Sequence, residues 1–259
     1  MKDWQMQRFY YSSRISSFLT EEPESIIGKL AGANEFALLE TQRFAWQQEI
    51  RILKDALTGL DGMIFYEFSI PRMGKRIDVV IVLESIVFLL EFKVGDSRFE
   101  SQAVDQVYDY ALDLKNFHQT SHAHLIAPIL IATEADCSKN SHDLHLHDDL
   151  ILVPQKTNAI GLRTCINVIM NSIHGASIDQ NNWANGRYQP TPTIIEAAMA
   201  LYNGHSVEEI TRSGAGAENL TITTKTIAKI IARSKDNLEK SICFVTGVPG
   251  AGKTLVGLK

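Results

Sequence analysis

The sequence predicts an α/β protein built on a mixed β-sheet with helices on its flanks. Runs rich in β-branched and aromatic residues recur at Met63 to Ile70, Arg76 to Leu83, Ile86 to Val94 and Leu125 to Ala132. Segments with apolar residues spaced three and four apart stand before and between them. The order is therefore helix, three strands, helix, strand, a mixed layer arrangement. A glycine-rich motif near the C-terminus points to the first strand and turn of a second α/β unit.

Composition fits that class. The chain has 259 residues, of which 45% are hydrophobic and 21% charged, enough for one large domain or two smaller ones. This argues against wholesale disorder. With 30 acidic and 25 basic side chains the formal charge is −5, which excludes a polybasic, histone-like binder but not a locally basic groove. Cys137, Cys165 and Cys243 are far apart with no CxxC pair, so neither a disulfide framework nor a thiolate zinc site is expected. No signal-peptide segment opens the chain, and no apolar run approaches the roughly 20 residues needed to span a bilayer. A cytoplasmic protein with no membrane partner is the expectation.

The elements follow in order. Residues 1–33 are polar and Ser-rich around Ile26-Ile27, and read as an N-terminal arm or short helix. From Asn34 to Leu57 the pattern is helical, with Trp46, Ile50, Leu53 and Leu57 on one stripe; Gly59 and Asp61-Gly62 stop it. After the three strands a helix is expected over Gln102 to Phe117, then the strand from Leu125. The polar stretch Thr133 to Asp149 gives way to a short strand, Leu150 to Val153, that rejoins the sheet. The segment Asn181 to Gly186 reads as loop and marks a domain connection. Thr193 with Glu196, and Ser206 with Glu209, form capping boxes that open two connector helices. Beyond the flexible Gly214-Ala215-Gly216, a helix bearing Ile227, Ile230 and Ile231 leads to a strand, Ile242 to Thr246. The expected domains are an arm (1–33), a first domain (34–155), a helical connector (156–220) and the beginning of a second domain (221–259).

Chemistry concentrates in the middle strands. Arg76 to Leu83 and Ile86 to Lys93 are apolar on both faces, which suits central strands of a covered sheet. Asp78, Glu91 and Lys93 are the charges set inside them, with Arg76 at the edge. A buried carboxylate is costly unless paired or bound to metal. A two-residue turn at Glu84-Ser85 places Asp78 opposite Glu91 and Arg76 opposite Lys93, with facing Cβ atoms about 4.5–5.5 Å apart. Lys93, two residues from Glu91, points the same way. Two readings stand. Either Asp78 and Glu91 share a hard divalent cation, Mg²⁺ or Mn²⁺, with Lys93 orienting water or stabilising charge on a phosphate. Or each carboxylate makes a structural ion pair with Arg76 or Lys93.

Asp78 followed by Glu91-Phe92-Lys93 resembles the PD-(D/E)XK nuclease signature in its Asp…Glu-X-Lys form. Gln106-Val107-Tyr108-Asp109-Tyr110 resembles the Gln-x-x-x-Tyr helix motif of its RecB-like branch; the spacing of four puts Gln106 and Tyr110 on one helix face. The likeness spans about Asn34 to Val153, and Ile77 stands where that family has a proline. It implies a restriction-endonuclease-like core, a metal held by Asp78, Glu91 and a helical acid, here Glu49, and phosphodiester hydrolysis of nucleic acid, DNA ahead of RNA. A nuclease fold that binds nucleic acid without cutting is the alternative.

Gly247-Val248-Pro249-Gly250-Ala251-Gly252-Lys253-Thr254 fits the phosphate-loop pattern G-x-x-x-x-G-K-S/T completely. Backbone N–H groups of such a loop, including those of Gly247, Gly250 and Gly252, cradle phosphates at a helix N-terminus. Lys253 would reach the β- and γ-phosphates of ATP, and Thr254 would hold Mg²⁺. The chain ends at Lys259, so it reads as a fragment of a longer protein, its NTPase domain cut short. The loop and its approach from Tyr188-Gln189-Pro190 resemble the opening of a Schlafen-like, superfamily-one DNA/RNA helicase domain behind a nuclease-like N-terminus. That implies an ATP-driven motor in the full-length protein.

Weaker features remain. His142, His145 and His147, among Asp143, Asp148 and Asp149, are a candidate transition-metal cluster or solvated loop residues. His122 and His124 read as edge or loop residues. Trp183 and Tyr188 either stack on bases or anchor the connector to a domain surface.

Overall fold

Residues 8–34, 39–71, 74–137, 144–188, 214–237 and 239–246 are described by a computed structural model of the chain, in two compact units, Met1–Arg187 and Tyr188–Lys259. The polar N-terminal segment is more than an arm. Tyr11–Arg14 forms an edge strand, β1, followed by helices α1 (Ile15–Thr20) and α2 (Pro23–Ala33). Pro23 opens α2, where its fixed φ suits the first turn. The amphipathic stripe around Trp46 becomes α3, Glu40–Ala56.

The apolar runs form β2 (Met63–Ile70), β3 (Lys75–Leu83) and β4 (Ile86–Lys93), then α4 (Ser101–Phe117) and β5 (Leu125–Ala132), close to the expected bounds. The expected strand over Leu150 to Val153 is reduced to isolated bridges, Ile126 with Ile151 and Leu146 with Leu152. Leu150 adopts a left-handed φ of 64°, which interrupts extension there, and strand β6 forms at Gln155–Thr157 instead. Helix α5, Leu162–Ser172, follows. The expected loop at Asn181 to Gly186 holds a one-turn helix, α6 (Gln180–Ala184). Its cap is Asp179, whose carboxylate accepts from the Asn181 and Asn182 N–H groups at 3.1 Å.

The strands lie in the order β1-β2-β3-β4-β5-β6, with β1 to β4 antiparallel and β5 and β6 parallel to β4. All eight residues of β5 are buried, as a central parallel strand requires. One face of the sheet packs on α1, α2, α3 and α5, which supply Phe18, Ile26, Ile50 and Ile166 to the main core. The other carries α4 and the Trp183 ring of α6, 5.5 Å from Phe65 and 5.4 Å from Phe68. The molecule is thus α/β, a six-stranded mixed sheet between helices.

This unit begins before and ends after the expected 34–155 span, because α2 and α5 both bury apolar faces on the sheet. In the second unit a helix, α7 (Gly214–Asp236), carries the expected isoleucines and takes Gly214 to Gly216, read as a flexible stretch before it, into its first turn. The expected strand Ile242 to Thr246 is not formed. No other strand of that unit is described to pair with it, and Ile242 and Phe244 are 84% and 86% exposed. The two capping boxes and the phosphate loop, Gly247 to Thr254, lie outside the described residues. No described helix is long and apolar enough to cross a membrane.

Candidate active site

Glu84 takes a left-handed φ of 47°, closing a two-residue turn, and β3 and β4 pair from Leu83 with Ile86 to Val79 with Leu90. That is the register which sets Asp78 against Glu91. The ladder ends there, and the Asp78 carboxylate takes over: its Oδ2 accepts the Phe92 N–H at 2.7 Å.

A matching gap lies on the other side of β3. Tyr66 pairs with Val79 and Phe68 with Ile77, but Glu67 and Asp78 between them are unpaired. Glu67 has φ of 53°, a backbone state that costs a non-glycine residue roughly 1–2 kcal/mol. Strict alternation would put Phe65 and Phe68 on opposite faces. Their rings are instead 6.3 Å apart, and both lie against Trp183. The facing of the β2 side chains therefore flips at Glu67, while the register with β3 is the same on both sides of it. Its carboxylate reaches α3, where Trp46 Nε1 donates to Oε1 at 2.9 Å.

Four carboxyl groups gather around this break. Glu91, 3% exposed, accepts from Lys93 Nζ and from Gln106 Nε2, both at 2.8 Å on Oε1. Gln106 Nε2 also donates to the Tyr110 hydroxyl at 2.7 Å. Glu49 enters from α3, 5% exposed. Glu49 Oε2 and Glu91 Oε2 are buried with no hydrogen-bond partner. Glu49, Glu67, Asp78 and Lys93 line one cleft of about 1040 Å³.

Electrostatics record the crowding. Burial, then the Glu67 and Glu91 charges, push the Glu49 carboxyl up to about 8. Asp78 rises well above its ordinary range through burial, then through Glu91 and Glu49, against the lowering hydrogen bond from Phe92. Burial raises Glu91 too, offset in part by Lys93 and by a hydrogen bond with the Asp78 carboxyl. Burial alone would lower Lys93, but the Glu91 carboxylate outweighs it and the ammonium is held more firmly protonated. Glu67 is raised by burial against the lowering hydrogen bonds of Trp46 and Gln42. Burial raises the Tyr110 phenol to about 12.

Among the described residues no group of three or more His, Cys, Asp or Glu side chains is placed to hold a metal ion. Mg²⁺ does not require one, since it keeps several waters and takes one or two protein carboxylates. The Asp78 and Glu91 carboxyls, with the bare Oε2 of Glu91, are hard oxygen donors of that chemistry.

Asp78, Glu91, Lys93, Gln106, Tyr110 and Glu49, predicted from four separate elements, converge here. Arg76 does not face Lys93 in a paired ladder; its Nη1 donates to the Glu67 carbonyl at 2.7 Å, its charge opposes the burial that raises the Glu67 carboxyl, and its guanidinium lies 4.0 Å over the Tyr10 ring. Glu67 is the residue the sequence reading passed over. Its signal was of the same kind as Asp78's, an acid inside the apolar run Met63 to Ile70. His145 and His147 meet edge to face with ring centroids 5.3 Å apart, while His142 and Asp143 lie outside the described residues. Trp183 is fully buried, its Nε1 donating to Ser121 Oγ at 2.9 Å, so it anchors and does not stack on bases. No family model, curated protein or solved structure matches the chain.

Proposed function

We propose that this cleft is a divalent-cation-dependent phosphodiesterase site of the PD-(D/E)XK kind, acting on nucleic acid from a restriction-endonuclease-like core. One observation carries the reading: Asp78 and Glu91, facing each other where the β3–β4 ladder ends, share a corner with Lys93 and with the bare oxygen of Glu49. Such a cluster is unfavourable by itself and becomes favourable around a cation. Bound Mg²⁺ or Mn²⁺ would supply Lewis acidity and a more acidic water. Asp78 and Glu91 would hold it, with Glu49 beside them. Lys93 stands where its ammonium can orient the attacking water and neutralise charge on the phosphate. Gln106, itself bonded to Tyr110, donates to the same Glu91 oxygen as Lys93 and helps fix the carboxylate. Water would add to phosphorus as the P–O ester bond breaks, leaving a phosphate monoester and an alcohol.

The phosphate-loop sequence, Gly247 to Thr254, supports ATP binding through Lys253 and Thr254, and so a motor coupled to the nuclease in a longer protein. Incubating the chain with single- and double-stranded DNA and Mg²⁺ or Mn²⁺ should give cleavage that EDTA abolishes. Asp78→Ala and Lys93→Ala should each lower it by at least about a hundredfold. Cleavage that survives both substitutions would sink the assignment. The second reading, binding without cleavage, draws on the Lys93–Glu91 contact at 2.8 Å, which a purely structural ion pair would also make. Salt-dependent DNA binding, indifferent to metal and without cutting, is its signature.

A further inference from the structure

Glu67 lines the cleft beside Glu49 and Asp78, where it holds an unfavourable backbone state. Strained residues persist where the surroundings over-determine them, and the inference runs from the strain to a role. Here the surroundings are specific. The Arg76 guanidinium holds the Glu67 carbonyl at 2.7 Å, and Trp46 Nε1 holds its Oε1 at 2.9 Å. Gln42 is a further hydrogen-bond partner of the carboxylate. Gln42, Trp46 and Glu49 are spaced four and three residues apart, one stripe along α3. The first two grip Glu67 and the third carries its bare Oε2 into the cleft.

We infer that Glu67 is a positioning residue: its carboxylate, turned out of the sheet by the left-handed backbone, sets the height and rotation of α3 and so places Glu49 for the cation. The inference rests on the cation reading of the site. The latch is needed because nothing else fixes Glu49 by hydrogen bonding at Oε2. A helix can rotate or slide by a fraction of an ångström without losing its apolar packing, but a ligand oxygen cannot tolerate that error. The bonds from Trp46 and Gln42 remove that freedom.

The test is Mn²⁺ affinity of the full chain, read from the free-ion paramagnetic resonance signal and independent of turnover. Outer partners of metal ligands are worth about 10–100-fold in affinity. Glu67→Ala should weaken Mn²⁺ by that factor. Trp46→Phe, which removes only the indole donor, should weaken it in the same direction. Glu67→Gln keeps an oxygen that accepts from Trp46 and should bind within about threefold of the wild type.

The distinguishing readout is the double substitution with Glu49→Gln. If Glu67 acts through Glu49, Glu67→Ala adds nothing in that background, whereas a general structural defect adds in full. Should Glu67→Ala unfold the chain, Trp46→Phe carries the same comparison. Wild-type affinity in both Glu67→Ala and Trp46→Phe overturns the inference. So does a Glu67→Gln as weak as Glu67→Ala, because the charge itself would then be the ligand. Mn²⁺ binding that Asp78→Ala abolishes but these variants leave alone overturns only the positioning role. No binding by the wild type at all removes the cation reading and the inference with it.

Discussion

Asp78 works against the fold that contains it. Its carboxyl is half-buried beside Glu91 and within the field of Glu49 and Glu67, and desolvation and each of these charges raise its pKa. One of its hydrogen bonds is useful to the fold, that from the Phe92 N–H. Asparagine offers the same acceptor oxygen without the charge. Asp78→Asn should therefore melt higher than the wild type in EDTA at neutral pH, by about 2–4 °C for each kcal/mol of repulsion relieved, while losing cleavage. A lower melting point would mean that the carboxylate stabilises the metal-free chain. Asp78, Glu91 and Lys93 were legible in the sequence because a charge inside an apolar strand stands out against its neighbours. Glu67 offered that contrast too, but what gives it a role is a left-handed φ, and glutamate carries no local signal for one. Nor could alternation foresee that β2 and β3 lose their pairing at the same point, which turns Glu67 toward α3.

Elements were legible in proportion to their burial. β5, apolar throughout and fully buried, matched its expected bounds. β1 did not announce itself: of Tyr11 to Arg14 only Tyr11 is buried, and an edge strand of four residues takes its identity from the partner it pairs with, β2. The strand Ile242 to Thr246 shows the reverse error, since strand-like composition with no neighbouring strand among the described residues leaves the backbone unpaired. The C-terminus of α4 supplies a prediction of its own. His118, fully buried there, bonds Ser121 Oγ through Nδ1 at 2.7 Å and packs 4.9 Å from the Trp183 ring and 5.8 Å from Phe68. Burial first, then the charges of Arg8 and His122, push its pKa from 6.5 to about 3. The folded ring is therefore neutral where the unfolded one is charged. Its contribution is present above pH 6.5 and is lost as pH falls toward 3, at no more than about 1.4 kcal/mol per pH unit. Urea unfolding at pH 7 and pH 5 should show a smaller acid loss in His118→Gln than in the wild type. An equal loss would mean that His118 is not the group responsible.

At the scale of the molecule, the N-terminal segment decides whether the first unit exists. Its composition is polar, yet its few apolar residues are placed where the sheet needs a cover: Ile15, Phe18, Ile26 and Leu30 are all 0% exposed. Lys54 of α3 clamps the turn between α1 and α2, its Nζ donating to the carbonyls of Phe18, Leu19 and Glu21 at 2.7, 2.9 and 2.6 Å. Arg8 Nη1 donates to the Ala184 carbonyl at 2.8 Å and to that of Gly186, tying the first described residues to the end of the same unit. Four fully buried side chains at about 1.5–3 kcal/mol each amount to about 6–12 kcal/mol. A whole domain keeps only about 5–15 kcal/mol of net stability. Removing residues 1–33 also exposes β2 as a new edge, with unpaired N–H and C=O groups beside a bared apolar face. A fragment of residues 1–187 should therefore unfold in one transition that coincides by circular dichroism and tryptophan fluorescence. A fragment of residues 34–187, which still holds all six carboxylate-site residues predicted from the sequence, should be aggregated or without a cooperative transition. If the shorter fragment melts as cooperatively as the longer one, the N-terminal segment is a dispensable arm, and the apolar cover over Tyr66 and Trp46 must come from elsewhere in the unit.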